Sequence, residues 1–237
     1  MKHLKKGGAK DALLSLFFPP CCPSCGRSVG REENFCPECS RELYIPLPGK
    51  LCPRCGKSPC ICEELDPPYL HTWAAAYYEG AIQRAVRRFK FHSHPGSARI
   101  LGRMMADALP KPLVDDGKRF DQIVPVPMRP RREKARGYNQ AALLAQEVSR
   151  RIGVPCQNAL KKIRDTKAQH DLTEEERQKN LSGSFLASPE VSGKRILLVD
   201  DVLTTGSTAK EAARALLAAE AESVDVLVLS ITRLKKD

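Results

Sequence analysis

The sequence predicts a parallel α/β domain preceded by a small cysteine-rich module. Three observations carry that expectation. Apolar runs alternate with helix-spaced segments from residue 69 to residue 232. The run Ile196-Leu197-Leu198-Val199 leads into Asp200-Asp201 and a small polar loop, as a buried parallel strand does on entering a tight turn. Nine of the ten cysteines fall between Cys21 and Cys62. Pro67-Pro68 closes the cysteine region and sets the expected boundary between a module over 18–66 and a domain over 67–237. A chain of 237 residues holds one α/β domain of ~150 residues plus a smaller unit.

The cysteines come in couples: Cys22/Cys25, Cys36/Cys39, Cys52/Cys55 and Cys60/Cys62. Cys22-Pro23-Ser24-Cys25-Gly26 and Cys52-Pro53-Arg54-Cys55-Gly56 have the form of a zinc knuckle. In a knuckle the glycine permits a tight turn, and backbone N–H groups face the thiolates. Without a secretion signal, this spacing favours metal over disulfides. Four couples also exceed what a redox C-x-x-C site needs. Eight thiolates make two tetrahedral Zn²⁺ sites with no position for water, so the zinc is structural and supplies folding free energy. Sequential pairing joins Cys22/Cys25 with Cys36/Cys39 and Cys52/Cys55 with Cys60/Cys62; an interleaved pairing also fits the spacing. Cys21 and Cys156 are left as non-ligands.

Tyr69 to Tyr78 reads as a strand. Gly80 to Phe91 is helical, with Ile82, Val86 and Phe89 on one side and Arg84, Arg87 and Arg88 elsewhere. Ser93-His94-Pro95-Gly96 breaks it, and Ala98 to Leu109 resumes as helix. His92 and His94 have no companion carboxylate and read as exposed loop residues. Phe120 to Pro127 is a strand ending in prolines. Met128 to Gln140 then carries five basic residues against one acid. A basic loop between strand and helix suits a diphosphate, which arginine grips bidentately, and Gly137 and Asn139 add turn chemistry. Ala141 to Arg151 is a helix. Leu160 to His170 reads as a strand feeding a polar loop, Glu174 to Asn180 as a short helix, and Val224 to Thr232 as a buried last strand. Such alternation gives a parallel sheet with right-handed crossovers.

The richest segment is Ile196 to Thr208. Two adjacent carboxylates sit where open α/β sheets place ligands. Thr204-Thr205-Gly206-Ser207-Thr208 then offers hydroxyls and backbone N–H groups ahead of a helix over Ala209 to Ala219. Helix N-termini favour anions, so this is a phosphate cradle. An ordinary helix start needs one capping residue, not two acids followed by four hydroxyls and a glycine. No G-x-x-x-x-G-K-[ST] loop occurs.

This pattern resembles the 5-phosphoribosyl-1-diphosphate (PRPP) signature of type I phosphoribosyltransferases. The resemblance implies that Asp200 and Asp201 hold the ribose 2- and 3-hydroxyls and that Thr204, Thr205, Gly206, Ser207 and Thr208 wrap the 5-phosphate. Taken with the cysteine ribbon and Val126-Pro127 … Arg131-Arg132 … Arg136-Gly137-Tyr138-Asn139-Gln140, the chain resembles the ComF competence-protein family from about Phe18 to Arg233. Lys90-Phe91 (where the family more commonly has Lys-Tyr), Arg164, Gln169, Arg177 and Asn180-Leu181 match as well. Membership implies a zinc ribbon followed by a type I phosphoribosyltransferase fold. It also implies a role in natural transformation, handling single-stranded DNA alongside competence proteins.

Two functional classes follow. An enzyme would bind PRPP with Mg²⁺, and Arg131, Arg132, Arg136 and Lys167 would stabilise departing diphosphate. Its acceptor pocket would lie under a hood formed by the ribbon and residues 69–110. Met1-Lys2-His3 offers no cysteine as an N-terminal nucleophile, so internally generated ammonia is not expected. A binding module would use the same site to sense PRPP while its basic surface holds single-stranded DNA. A purely structural adaptor is disfavoured by the intact acid pair and loop. The net charge of +11 suits a polyanionic partner, and 5% aromatics argue against a base-stacking platform. No apolar run approaches the ~20 residues of a membrane span, and Leu13 to Phe18 is too short for a signal. A cytoplasmic protein without membrane insertion is expected.

Overall fold

The structure is a computed structural model that describes residues 20–30, 33–91, 95–115, 119–163 and 183–234. His92, His94 and the segment from Arg164 to Leu181, including Lys167, lie outside the described residues, as do Leu13 to Phe18. The cysteine module contributes two single-turn helices, α1 (Pro37–Ser40) and α2 (Cys62–Leu65). Then follow β1 (Thr72–Tyr77), α3 (Gly80–Phe91), α4 (Ser97–Asp107), α5 (Lys111–Asp115) and β2 (Gln122–Pro125). Next come α6 (Pro130–Arg136), α7 (Gln140–Ile152), β3 (Leu160–Lys162) and β4 (Phe185–Ala187). β5 (Arg195–Leu203), α8 (Ser207–Ala218) and β6 (Ser223–Ile231) complete the domain.

The main sheet has the order β1-β6-β5-β2, and every pairing in it is parallel. β5 and β6 are central and covered on both faces, which is why Ile196 to Val199 and Val226 to Leu229 are continuous apolar runs. Leu197, Val199, Leu227 and Leu229 pack against α3, α4 and α7; Ile196, Leu198, Val226 and Val228 pack against α8. α4 and α7 approach closely at Gly102, where an added Cβ would lie 2.3 Å from Glu147 Cβ. These contacts put β1, α3 and α4 in the body of the domain, not in a hood over it.

Three other expectations change. The basic segment after β2 is not a loop but contains α6. Pro130 stands in its first turn, Glu133 and Arg136 complement its dipole, and Gly137 ends it at φ 85°. Asn139 is the N-cap of α7, accepting from Ala141 N at 3.0 Å, so its turn chemistry serves that helix. β3 pairs antiparallel with β4, in a two-stranded sheet separate from the parallel one.

Candidate functional site

The acid pair lies at the C-terminal edge of the sheet. β5 continues to Leu203, so Asp200 and Asp201 sit within the strand and not at its end. Alternation places Asp201 on the α3 side with Leu197 and Val199, and Asp200 on the opposite side with Ile196 and Leu198. Lys90, in the last turn of α3, brings Nζ to 2.8 Å from Asp201 Oδ2. Asp200 Oδ1 accepts from Asp201 N at 2.8 Å. Burial pushes the Asp200 carboxyl up, and the neighbouring Asp201 charge pushes it further. The Asp201 N–H, Lys90 and Lys162 pull back, leaving it at about 7.

After Leu203 the chain turns through Thr204-Thr205-Gly206 into α8. Thr205 Oγ1 and Ser207 Oγ lie 2.8 Å apart, and Ser207 N donates to Thr205 Oγ1 at 3.4 Å. Gly206 holds φ 87°, which L side chains rarely adopt, and Thr208 stands in the first turn of the helix. The loop rests on the cysteine module. A Cβ on Gly206 would lie 2.9 Å from Leu65 Cδ2, and Lys210 Nζ donates to Leu65 O. Buried Lys57 donates to Thr232 O at 2.9 Å, Thr232 Oγ1 at 3.1 Å and Leu203 O at 3.4 Å. Burial lowers its ammonium to about 8 against the opposing pull of Cys55.

The basic segment divides. Arg131 and Arg132 are exposed on α6. Arg136 turns inward, donating to Gln140 Oε1 at 2.6 Å within reach of the Asp201 charge. Tyr138 OH and Gln140 Nε2 both donate to Phe89 O, at 2.5 and 3.5 Å. Asn139 Nδ2 donates to Val126 O at 3.0 Å.

Two four-sulfur clusters form, Cys22/Cys25/Cys36/Cys39 and Cys52/Cys55/Cys60/Cys62, each with its sulfurs within 4.8 Å of one another. Pairing is therefore sequential, and the interleaved alternative is set aside. The Cys25–Cys36 and Cys52–Cys62 sulfurs are 3.6 Å apart, near the ~3.8 Å edge of a tetrahedron with Zn–S bonds of ~2.3 Å. Backbone N–H of Arg27 leads the effects that bring Cys25 down to about 7. Burial raises the Cys52 thiol, but the N–H groups of Cys55 and Arg54 and the thiols of Cys60 and Cys62 outweigh it, leaving about 6. Cys21 and Cys156 belong to neither cluster, and burial pushes Cys156 up to about 11.

Residues 13–69 match the family described as Double zinc ribbon domain, and residues 138–236 match Phosphoribosyl transferase domain. The DNA utilization protein YhgH of Salmonella typhimurium is 32% identical over 213 residues, covering 89% of this chain and 90% of its own. Competence protein F of Haemophilus influenzae is 31% identical, with coverage of 86% and 87%. Competence protein ComFC of Bacillus subtilis is 30% identical, with coverage of 78% and 79%. The chain belongs to the ComF family. Its domain is a type I phosphoribosyltransferase fold, a parallel sheet flanked by helices, behind a double zinc ribbon. A solved glutamine phosphoribosylpyrophosphate amidotransferase from B. subtilis aligns over 56% of this chain at TM-score 0.38 and 22% identity. The ComF chain spans only 26% of that enzyme, and nothing of its reaction is carried over. No helix among the described residues is long and apolar enough to cross a membrane.

In this ComF protein Asp200, Asp201 and Thr204 to Thr208 follow one another along the C-terminal edge of the sheet, Arg136 lies within reach of the Asp201 charge, and Arg131 and Arg132 stand exposed on α6. Sequence reading gave Lys90 no part in the site, although a signal was present. Ile82 and Val86 are buried, and the same i, i+4 stripe of α3 continues to Lys90. No comparable signal marked Lys57 or Leu65, whose partners are more than 140 residues away.

Proposed function

We propose that this ComF protein binds PRPP, or a like phosphoribosyl ligand, at its acid pair and loop, and acts in the handling of incoming single-stranded DNA in the cytoplasm. The observation that carries the reading is Asp200-Asp201 in a central parallel strand, followed within three residues by a hydroxyl-rich turn at the N-terminus of a twelve-residue helix. Asp200 and Asp201 take the ribose hydroxyls, Thr204 to Thr208 take the 5-phosphate, and Arg136 faces the diphosphate with Arg131 and Arg132 behind it. Adjacent carboxylates are hard oxygen donors of the kind Mg²⁺ takes together with ligand phosphates. Bound there, Mg²⁺ would supply charge neutralisation for the diphosphate.

Transfer would break the bond from C1 to diphosphate and form one from C1 to an acceptor nucleophile. The chain's own contribution is positioning and charge stabilisation of the departing group. The names of the relatives, DNA utilization protein and competence protein, support a DNA-linked role. So does the exposed basic helix α6, with Arg131, Arg132 and Lys134.

The test is isothermal titration of PRPP with Mg²⁺ into zinc-loaded protein, wild type beside Asp200→Ala/Asp201→Ala. Binding in the wild type and its loss in the variant is the expected result, and diphosphate release then reports turnover. Absence of binding in the wild type sinks the reading. The exposed α6 favours one second reading, a non-catalytic single-stranded DNA binder that uses the site to sense PRPP. It predicts salt-sensitive DNA binding that Arg131→Ala/Arg132→Ala weakens and the Asp variant spares.

A further inference from the structure

We infer that Lys90 is a ligand-positioning residue of the acid-pair site, placed there by Tyr138 and Gln140, and that its ammonium bridges Asp201 to the anionic group at C1 of the ligand. The inference rests on the phosphoribosyl reading above and adds a cation that no diphosphate-binding motif of the sequence supplied.

The placement is built from both directions. From α3, the stripe Ile82–Val86–Lys90 brings the lysine stem down among buried side chains, as long cationic residues do when only the head needs a polar setting. From the other side, two side chains of the Arg136-to-Gln140 segment converge on one acceptor. Tyr138 OH and Gln140 Nε2 both donate to Phe89 O, the carbonyl of the peptide bond that joins Phe89 to Lys90. That carbonyl lies in the last turn of α3, where helix geometry provides no internal partner. Gln140 is itself oriented by Arg136, at 2.6 Å. A chain of contacts thus runs from Arg136 through Gln140 and Phe89 O to Lys90 and Asp201.

The ammonium has three donors, and Asp201 Oδ2 takes one. The Lys90 side chain keeps 28% of its surface exposed and that of Asp201 keeps 13%, so the pair opens onto the edge where a ligand would arrive. A second donor can therefore reach an anionic oxygen without the first being released. This assigns Tyr138 and Gln140 a positioning role, whereas a basic diphosphate loop would need them only as spacers.

The experiment titrates PRPP and, separately, ribose 5-phosphate into zinc-loaded full-length protein, comparing wild type with K90M, K90R and Y138F. In K90M, PRPP affinity should fall about tenfold or more, as for a lost hydrogen bond to a charged group, and ribose 5-phosphate affinity by less than about threefold. K90R should recover most of the PRPP affinity. Y138F should cost PRPP about threefold in the wild-type background and nothing further in K90M, because it acts through Lys90.

Equal losses for both ligands would overturn the bridge and leave Lys90 as a counter-ion of Asp201 alone. Unchanged PRPP affinity in K90M would overturn the role altogether. A wild type that binds neither ligand would sink the phosphoribosyl reading instead, and this inference with it. K90Q, which keeps a donor without the charge, gives the same readout where K90M melts early.

Discussion

Gly26 and Gly56 close equivalent knuckles, at φ 83° and 73°, and each donates its N–H at 2.8 Å to the carbonyl of the first cysteine, Cys22 or Cys52. The surroundings of the two knuckles differ. The first cluster meets α3 and α4 in the core, where Cys22, Phe35, Cys36 and Cys39 are buried with Ile82, Val86, Phe89 and Leu101, and through polar contacts at its margin: Arg84 Nε to Ser24 Oγ at 3.0 Å, Arg103 Nε to Asn34 Oδ1 at 2.9 Å, and the Arg88 guanidinium beside Gly26. The second cluster meets strand ends and the loop before α8 through buried contacts. Gly56 faces Thr72 and Ile231, Lys57 is enclosed, and Leu65 lies under Gly206. The same ligand set therefore does two jobs. One cluster anchors the α3–α4 side of the core, and the other forms the floor of the candidate phosphate loop.

The largest expected difference comes from removing one cluster at a time. Cys22→Ser/Cys25→Ser and Cys52→Ser/Cys55→Ser should each lower zinc content from about two ions per chain to about one. PRPP affinity should fall about tenfold or more in the second variant and at most about threefold in the first. Equal losses by titration would break the comparison. Next comes Lys57→Met against Arg84→Met. Losing the buried ammonium removes its hydrogen bonds to Thr232 O, Thr232 Oγ1 and Leu203 O and should cost about 2–3 kcal/mol, while the exposed Arg84 contacts are worth about 0.5–1 kcal/mol, both read by urea denaturation.

Gly206→Ala against Gly26→Ala sharpens the point further. Both carry left-handed strain, but Gly206→Ala also drives a Cβ onto Leu65 and should cost about 1–3 kcal/mol. At Gly26 the obstructing atom is the swinging end of Arg88, so about 1 kcal/mol is expected from thermal melting. A pH dependence completes the set. Asp200 is raised to about 7 in the folded chain, so between pH ~4 and ~7 the native state holds a proton that the unfolded state releases. Stability should fall as pH rises through that window and level off above it. Asp200→Asn should remove the slope, and a persisting slope would point to another group.

The sequence made the strands, the main helices and both cysteine clusters legible because each rests on local spacing. Apolar runs, knuckle glycines and the acid pair are all short-range signals, and each reappears in the fold at its expected element. Charge dominates the composition of the segment from Pro130 to Gln140 and hides its helix. Its shape is set by Pro130, Gly137 and Asn139, and its purpose by contacts with Phe89 about fifty positions earlier. The place of β1, α3 and α4 in the main body is hidden for a related reason: pairing of Thr72 with Val226 is a long-range event with no local mark. Lys57 and Leu65 carried no local signal, since their meaning depends on strand ends that come together only in the finished fold.

That strand order has a consequence during synthesis. β6 is the last of the described strands to be synthesised, yet it lies between β1 and β5, and β1 finds its partner 154 positions later. At about 5–20 residues per second, β1 waits roughly 8–30 s with an unpaired apolar edge. The cysteine module can meet zinc throughout that interval, but Lys57 cannot be enclosed until Thr232 arrives. Metal loading and closure of the sheet are thus separated in time, and the nascent domain must be kept from edge-to-edge association until its final strand slides into the middle.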